Sequence, residues 1–361
     1  MKKKVVSIVL VFALAFSLAA FSGCGSSDQV TLHVYNWGVN IADGTDDYID
    51  VIELFEEAYP DIDVVYDTYE TNEALYTRLS GGGVSYDVII PSDYMIARMI
   101  REDMLLPLDF ENIPNYELVD DTFKNQAYDP DNMYSVPYTW GTVGIIYNTK
   151  YVDEADVGGW DLLWNEKYAD RIVMIDNSRD AFAIAEAMLG YSLNTEDPDE
   201  LQAAAELLAE QTAVVQSYSM DDMYNVMENE EAWIAPYYAG DAMLMMDENP
   251  DLAFYLPEDQ TFNVFIDAMC IPSCAEHKEE AELFINFLTS PEISGGNMDY
   301  IGYGTPVSAA KEYMDPEMAN NPVAYPDDAT LERGEAFVAL SDEAQQLMDN
   351  LFNEVKAGLT A

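Results

Sequence analysis

The sequence predicts an α/β protein built in two halves. Three observations carry that expectation. Strand-like and helix-like segments alternate along the chain, 361 residues exceed one ordinary domain, and no Pro- or Ser-rich linker divides it. The apolar share of 49% and the aromatic share of 12% supply a core, which an acidic disordered chain lacks. Two lobes joined by more than one crossover satisfy all of this together.

The elements follow in order. Val30, Leu32 and Val34 alternate with Thr31, His33 and Tyr35, the period-two pattern of a half-buried strand. Tyr48–Tyr59 (YIDVIELFEEAY) has apolar residues at helical spacing and stops at Pro60. Ile62–Tyr66 is β-rich, and Asn72–Leu79 is helical before Gly81-Gly82-Gly83. Tyr86–Ile90 (YDVII) is a continuous apolar strand, after which Pro91-Ser92-Asp93-Tyr94 opens a helix. Tyr134–Asn148 (YSVPYTWGTVGIIYN) reads as two β-rich pieces around Trp140-Gly141. A second α/β run has a strand at Ile172–Ile175, helices at Ala181–Leu189 and Leu201–Glu210, and a strand at Val214–Gln216. Phe262–Ile271 is β-rich, Glu279–Leu288 is an amphipathic helix, and Asp342–Lys356 is an acidic one. Such alternation implies a parallel sheet, with ligands beyond the carboxyl ends of its strands.

The amino terminus reads as an address. Residues 1–23 form a lipoprotein signal peptide: Lys2, Lys3 and Lys4 precede the apolar run Val5–Phe21, which is shorter than the about 20 residues a spanning helix needs. Phe21-Ser22-Gly23-Cys24 resembles a bacterial lipobox, so Cys24 becomes the lipidated first residue and residues 24–29 a polar tether. An uncleaved anchor helix is the alternative, and either places the globular part outside the cytoplasmic membrane. Cys270 and Cys274 are a local disulfide or two thiols; with no second Cys or His pair they lack the ligands of a zinc site.

Charge and motifs exclude whole classes. Lys and Arg number 15 against 68 Asp and Glu, a net charge of −53. So acidic a surface repels phosphate backbones and excludes nucleic acid as partner. It concentrates cations instead. With two histidines, His33 and His277, imidazole chemistry has little to work with. No G-x-S-x-G elbow, Walker loop, G-x-G-x-x-G after a strand or H-E-x-x-H occurs. Asp43–Asp47 lacks the ligand order of an EF-hand. A secreted carboxylate-dependent hydrolase is the enzyme alternative, but 68 acids make carboxylate pairs unavoidable and therefore uninformative.

What stands out is aromatic residues beside acids at strand ends: Tyr35-Asn36-Trp37, Ser92-Asp93-Tyr94, Asp176-Asn177-Ser178-Arg179-Asp180, Tyr237-Tyr238-Ala239-Gly240-Asp241 and Phe265-Ile266-Asp267. Each ring taken singly reads as core. Together they suit an organic amine, because a ring face attracts an ammonium by about 0.5–2 kcal/mol and carboxylates neutralise its charge.

Several longer strings carry a family resemblance: TYETNEALYTRL (Thr68–Leu79), SYDVIIPSDYM (Ser85–Met95), DPDNMYSVPYTWG (Asp129–Gly141), LGYSLNTEDP (Leu189–Pro198), INFLTSPE (Ile285–Glu292) and IGYGTPV (Ile301–Val307). From Val30 to its end the chain resembles the spermidine/putrescine-binding proteins of bacterial polyamine ABC transporters. These belong to the type II periplasmic-binding-protein superfamily. The resemblance implies two Rossmann-like lobes hinged on crossover strands, residues 30–142 with 265–311 and residues 143–264 with 312–361. It implies a monomeric, lipid-anchored receptor with no cofactor and no catalysis, delivering a polyamine to a permease driven by a cytoplasmic ATPase. A polyamine sensor, or a receptor for a quaternary amine, thiamine or a metal ion, is the alternative within this fold.

By the same resemblance the pocket holds Trp37 as first wall, Ser92 and Tyr94 after the third strand, and Asp180 as acidic clamp. Tyr238 stands where relatives commonly have Trp, Asp241 follows, and Phe265 precedes Asp267, which is expected to grip an ammonium. Tyr303 lies beside the last crossover. Gly38 and Asn40 replace a hydroxyl residue and a tyrosine, Asn177 replaces a spermidine-type Asp, and Phe337 a glutamine. Phe265 and Asp241 lean towards putrescine, whereas three carboxylates suit spermidine; the residues leave both open.

Overall fold

The computed structural model describes residues 29–220 and 222–359. The signal peptide, Cys24 and the tether before Gln29 lie outside the described residues. Among the described residues no helix is long and apolar enough to cross a membrane.

The first half winds as β1 (Val30–Trp37), α1 (Val51–Ala58), β2 (Ile62–Tyr69), α2 (Asn72–Ser80), β3 (Val88–Ile89) and α3 (Asp93–Arg101). Side chains set the helix starts: Asp50 accepts from the Glu53 N–H to open α1, and Thr71 accepts from the Ala74 N–H to open α2. Helix α1 turns Val51 and Phe55 inward and ends before Pro60, which cannot continue a helix.

Strand β4 (Ser135–Asn148) is one long strand rather than the two pieces expected. All its residues but Tyr147 are buried, so it shows no alternation, and its register slips between Pro137 and Thr139. Proline supplies no ladder donor, which explains the irregularity.

The second half continues with β5 (Ile172–Ile175), α4 (Ser178–Leu189), α5 (Pro198–Gln211), β6 (Val215–Ser219), α6 (Met223–Glu228), β7 (Ile234–Tyr238), α7 (Ala239–Glu248) and β8 (Leu252–Tyr255). Strand β9 (Phe262–Cys270) leads to α8 (Lys278–Leu288) and α9 (Pro291–Ile301). The short α10 (Pro316–Ala319), α11 (Asp328–Leu331) and β10 (Gly334–Glu335) precede α12 (Asp342–Leu359).

The strand order is β2-β1-β3-β9-β4-β7-β5-β6, with β8 on β4 and β10 on β9. Within each half the pairing is parallel: β1 with β2 and β3, β5 with β6 and β7. The joining strands are antiparallel, so the sheet is mixed where alternation alone implied a parallel one. Strand β4 pairs β9 from Ser135 to Thr142 and then β7 and β8 from Val143 onward, so one strand serves both halves.

The Phe55 ring meets Phe284 edge-on at 4.9 Å, fastening α1 to α8, while Phe352 of α12 meets Tyr218 of β6 at 5.5 Å. Cys270, buried in β9, and Cys274 are free thiols, which decides between the two readings of that pair.

Candidate functional site

A cavity of about 250 Å³ opens where the carboxyl ends of the two sets of strands face each other. Trp37 ends β1, Ser92 follows β3, Asn177 follows β5 and Tyr238 ends β7, the positions the strand-end rule singles out. The cavity is lined by every residue that the sequence nominated for the pocket: Trp37, Gly38, Asn40, Ser92 and Tyr94 from the first half; Asn177, Asp180, Tyr238 and Asp241 from the second. Phe265 and Asp267 of β9, Tyr303 and Phe337 complete that set.

In the first half the backbone turns sharply after β1 because buried Asn36 folds back, its Oδ1 accepting from the Trp37 N–H at 2.8 Å and from Asn40 Nδ2 at 2.9 Å. This presents Trp37, whose ring leans on Tyr69 at 4.6 Å. Asn72 is a small hub: its Oδ1 accepts from the Ser92 N–H and its Nδ2 donates to the Tyr94 hydroxyl, both at 3.1 Å. Tyr94 in turn donates to Glu73 at 2.9 Å. The Ser92 hydroxyl donates to Asp267 at 2.7 Å, where β9 bridges the residues after β3.

The second half uses helix starts. Asn177 caps α4, accepting from the N–H groups of Arg179 and Asp180. Asp180 is thereby the third residue of α4, and Asp241 is the third of α7. Orphan N–H groups and the helix dipole favour a carboxylate at such positions. Tyr238 donates to Asp180 at 2.8 Å, and Tyr224 and Tyr303 both donate to Asp241. The Tyr303 ring reaches that place because Gly240 and Gly141 flank it; a Cβ on Gly240 would overlap the ring, and one on Gly141 would lie 2.9 Å from both Tyr303 and Phe265.

Among the described residues the lining contains Glu70, Asp93, Asp180, Asp241 and Asp267 but no Lys, Arg or His. Burial pushes Asp180 and Asp267 up to about 7 and Asp93 up to about 8, and Asp241 adds to the shift of Asp267 by repulsion. Carboxylates so confined are costly unless a positive charge joins them. Aromatic faces around them, from Trp37, Tyr238, Phe265 and Tyr303, provide apolar surface for the body of such a cation. Among the described residues no group of three or more His, Cys, Asp or Glu could hold a metal ion. The arrangement suits an elongated organic cation.

Sequence reasoning missed several lining residues. Tyr69 ends β2 and gave the same strand-end signal as Trp37, one strand further on. Asn72, Tyr224 and Asn263 offered none, since a polar residue near a helix start or inside a strand has many ordinary roles. Asp93 appeared in the Ser92-Asp93-Tyr94 string but was not nominated, and it lies buried at the first position of α3.

The family model for bacterial extracellular solute-binding proteins matches residues 50–326. The spermidine/putrescine-binding periplasmic protein of Salmonella typhimurium is 32% identical over 359 residues, 99% of this chain and 100% of that protein. The putrescine-binding periplasmic protein SpuD of Pseudomonas aeruginosa is 29% identical, over 99% of this chain and 100% of its own. Among solved structures, a putative spermidine/putrescine ABC transporter protein from Listeria monocytogenes superposes with a TM-score of 0.84 at 35% identity, covering 90% of this chain and 98% of that one. The fold is that of the type II periplasmic binding proteins, two α/β lobes joined by crossover strands. The chain therefore belongs to the bacterial extracellular solute-binding proteins, the family that includes the spermidine/putrescine-binding periplasmic proteins.

Proposed function

We propose that this protein captures a polyamine outside the cytoplasmic membrane and delivers it to an ABC importer. One observation carries the reading: among the described residues the cavity is lined by five carboxyl side chains and several aromatic rings, with no basic side chain. Polyamine nitrogens resemble a lysine amine and are protonated at neutral pH. The names of this chain's relatives, spermidine/putrescine-binding and putrescine-binding, agree with that chemistry.

In this reading residues 30–142 with 265–311 form one lobe and residues 143–264 with 312–361 the other. The lobes close about β4 and β9. The thirteen nominated lining residues bind the ligand, Asp267 gripping one ammonium while Asp180 and Asp241 serve the opposite lobe. Rings of Trp37, Tyr238 and Phe265 flank the methylenes. Without ligand, the acids repel across the cleft and favour opening; the cation shifts the balance by binding the closed form better. Cys24 carries a lipid that holds the monomeric receptor at the membrane, where the closed form docks on the permease. No bond is broken.

Calorimetry with putrescine and spermidine tests this directly. Stoichiometric binding of either amine, lost in Asp267→Asn with the circular dichroism spectrum unchanged, is expected. Failure of the wild type to bind both amines would overturn the reading.

A further inference from the structure

Outside the cleft, an ion pair ties the two lobes together. Helix α3 of the first lobe ends in Arg101, whose Nη2 donates to Asp342 Oδ1 at 3.1 Å and whose Nη1 donates to the Leu340 carbonyl at 3.4 Å. Asp342 opens α12 in the second lobe. Every other ion pair among the described residues joins two residues of the same lobe. Both partners of the crossing pair are placed by the helices that carry them. Free carbonyls at a helix end favour a cation, and free N–H groups at a helix start favour an acid. Arg101 in the last turn of α3 and Asp342 in the first turn of α12 therefore each sit where a helix end stabilises them before they meet.

The segment between β10 and α12 is fastened to the second lobe. Val338 N–H donates to Asn194 Oδ1, Arg179 Nη2 donates to the Val338 carbonyl, and Ser341 N–H donates to Glu196 Oε1. Against this segment α3 lays one face. Tyr94 and Arg101 are seven residues apart on that helix, two turns and about 10 Å along its axis. Tyr94 packs edge-on against Phe337 at 5.9 Å, and Arg101 takes Leu340 and Asp342. The first contact lies in the cavity and the second outside its lining. Movement of one lobe against the other therefore makes or breaks the ion pair together with the cleft wall.

Resting on the polyamine reading and its two-lobe division, we propose that Arg101 and Asp342 form an interlobe latch that holds the closed form and slows release of the amine. Neither residue touches the ligand. When the lobes part, the segment leaves α3 and the pair breaks; when they close on a ligand, it forms. The latch is weak, because Arg101 is 46% exposed and Asp342 77%, salt screens the pair, and Glu102 at 3.9 Å offers Arg101 another partner. A weak latch suits a receptor that must reopen to hand over its cargo.

Calorimetry and stopped-flow release of putrescine, on the full chain, test the latch. An exposed pair shifts an equilibrium by about one and a half- to fivefold, so Arg101→Met should weaken putrescine by about threefold, through faster release. Arg101→Glu sets an acid against Asp342 and should cost about tenfold. Combining Arg101→Glu with Asp342→Arg rebuilds the pair in reverse and should return affinity to within about threefold of the wild type. The gap between wild type and Arg101→Met should close at about 0.5 M salt, where the pair is screened. Wild-type affinity in Arg101→Met overturns the latch. So does a loss of affinity with the release rate unchanged, or a double variant no better than Arg101→Glu. Wild-type protein that binds neither putrescine nor spermidine would overturn the polyamine reading itself, a result read before any variant is made.

Discussion

The two halves of the cleft hold their acids by different means. Asp267 lies inside β9, a strand shared by the joining ladder, and its place is set by register against β4 and by one hydroxyl, that of Ser92. Asp180 and Asp241 sit in the first turns of α4 and α7, where helix ends favour negative charge and tyrosine hydroxyls point at them. The helix contribution is about 0.3–1 kcal/mol and reaches about 2 in buried settings. Burial that lifts Asp180 to about 7 from an ordinary 3.8 outweighs it, at roughly 4 kcal/mol. Helix ends therefore soften the cost of these acids without removing it. The strand acid has no such help, and both halves are left waiting for a cation.

The largest expected effect comes from removing the strand acid. Asp267→Asn keeps an oxygen to accept from Ser92 but loses the charge. Truncating one partner of a buried charged contact costs 2–5 kcal/mol, so putrescine affinity should fall by about a hundredfold or more. Ligand-free stability should move the other way at pH 8, because the variant no longer carries a buried carboxylate. Calorimetry and thermal melts of the same two proteins check both directions. A variant that binds normally would show that β9 does not supply the anchor.

Much of this site was legible because strands that end at a cleft leave a local mark: an apolar run, then a ring and an acid within a few residues. Trp37, Ser92, Tyr94, Asp180, Tyr238 and Asp241 all carry it. Asp267 and Phe265 lie inside β9; the ring-and-acid pair showed in the sequence, but the ammonium-gripping role of Asp267 came only from the family resemblance. Strand β4 defeated the period-two test because it is buried along nearly its whole length and interrupted by Pro137, Gly141 and Gly144. Helices α7 and α9 carry Gly240 and the pair Gly295-Gly296, residues that weaken a helix interior. In the fold these glycines answer packing: a Cβ on Gly240 would strike Tyr303, and one on Gly295 would crowd the Ala310 carbonyl. Close approach of distant segments leaves no local signal.

Acidity should sharpen the same contrast with the next largest effect. Asp180 and Asp267 titrate near 7 without ligand, and an ammonium beside them favours their ionised forms. Binding therefore releases protons near neutral pH, and affinity should fall as pH drops from 8 to 6, by about tenfold for each carboxyl that must ionise. The linkage to stability has the opposite sign. These raised carboxyls help the ligand-free fold most below the ordinary carboxylate range, and that help is lost as pH rises through about 7. The melting-temperature increase caused by putrescine should thus be larger at pH 8 than at pH 5.5. Calorimetry in buffers of different ionisation enthalpy counts the protons; a count of zero at pH 7 would contradict the assignment.

A smaller effect separates the two helix acids from each other. Tyr238 donates to Asp180, while Asp241 receives from both Tyr224 and Tyr303. A hydrogen bond to a charged group contributes about 1.5–3 kcal/mol, so Tyr238→Phe should weaken putrescine by about tenfold at pH 7. Because that hydroxyl lowers the Asp180 pKa, the loss should shrink as pH rises and the carboxyl ionises unaided. Tyr224→Phe leaves Tyr303 in place, and redundancy should hold its cost to about threefold. The ratio of the two losses, followed from pH 7 to pH 9, is the diagnostic. If both variants lose the same amount at every pH, the hydroxyls act as packing and not as donors that prepare the acids for a cation.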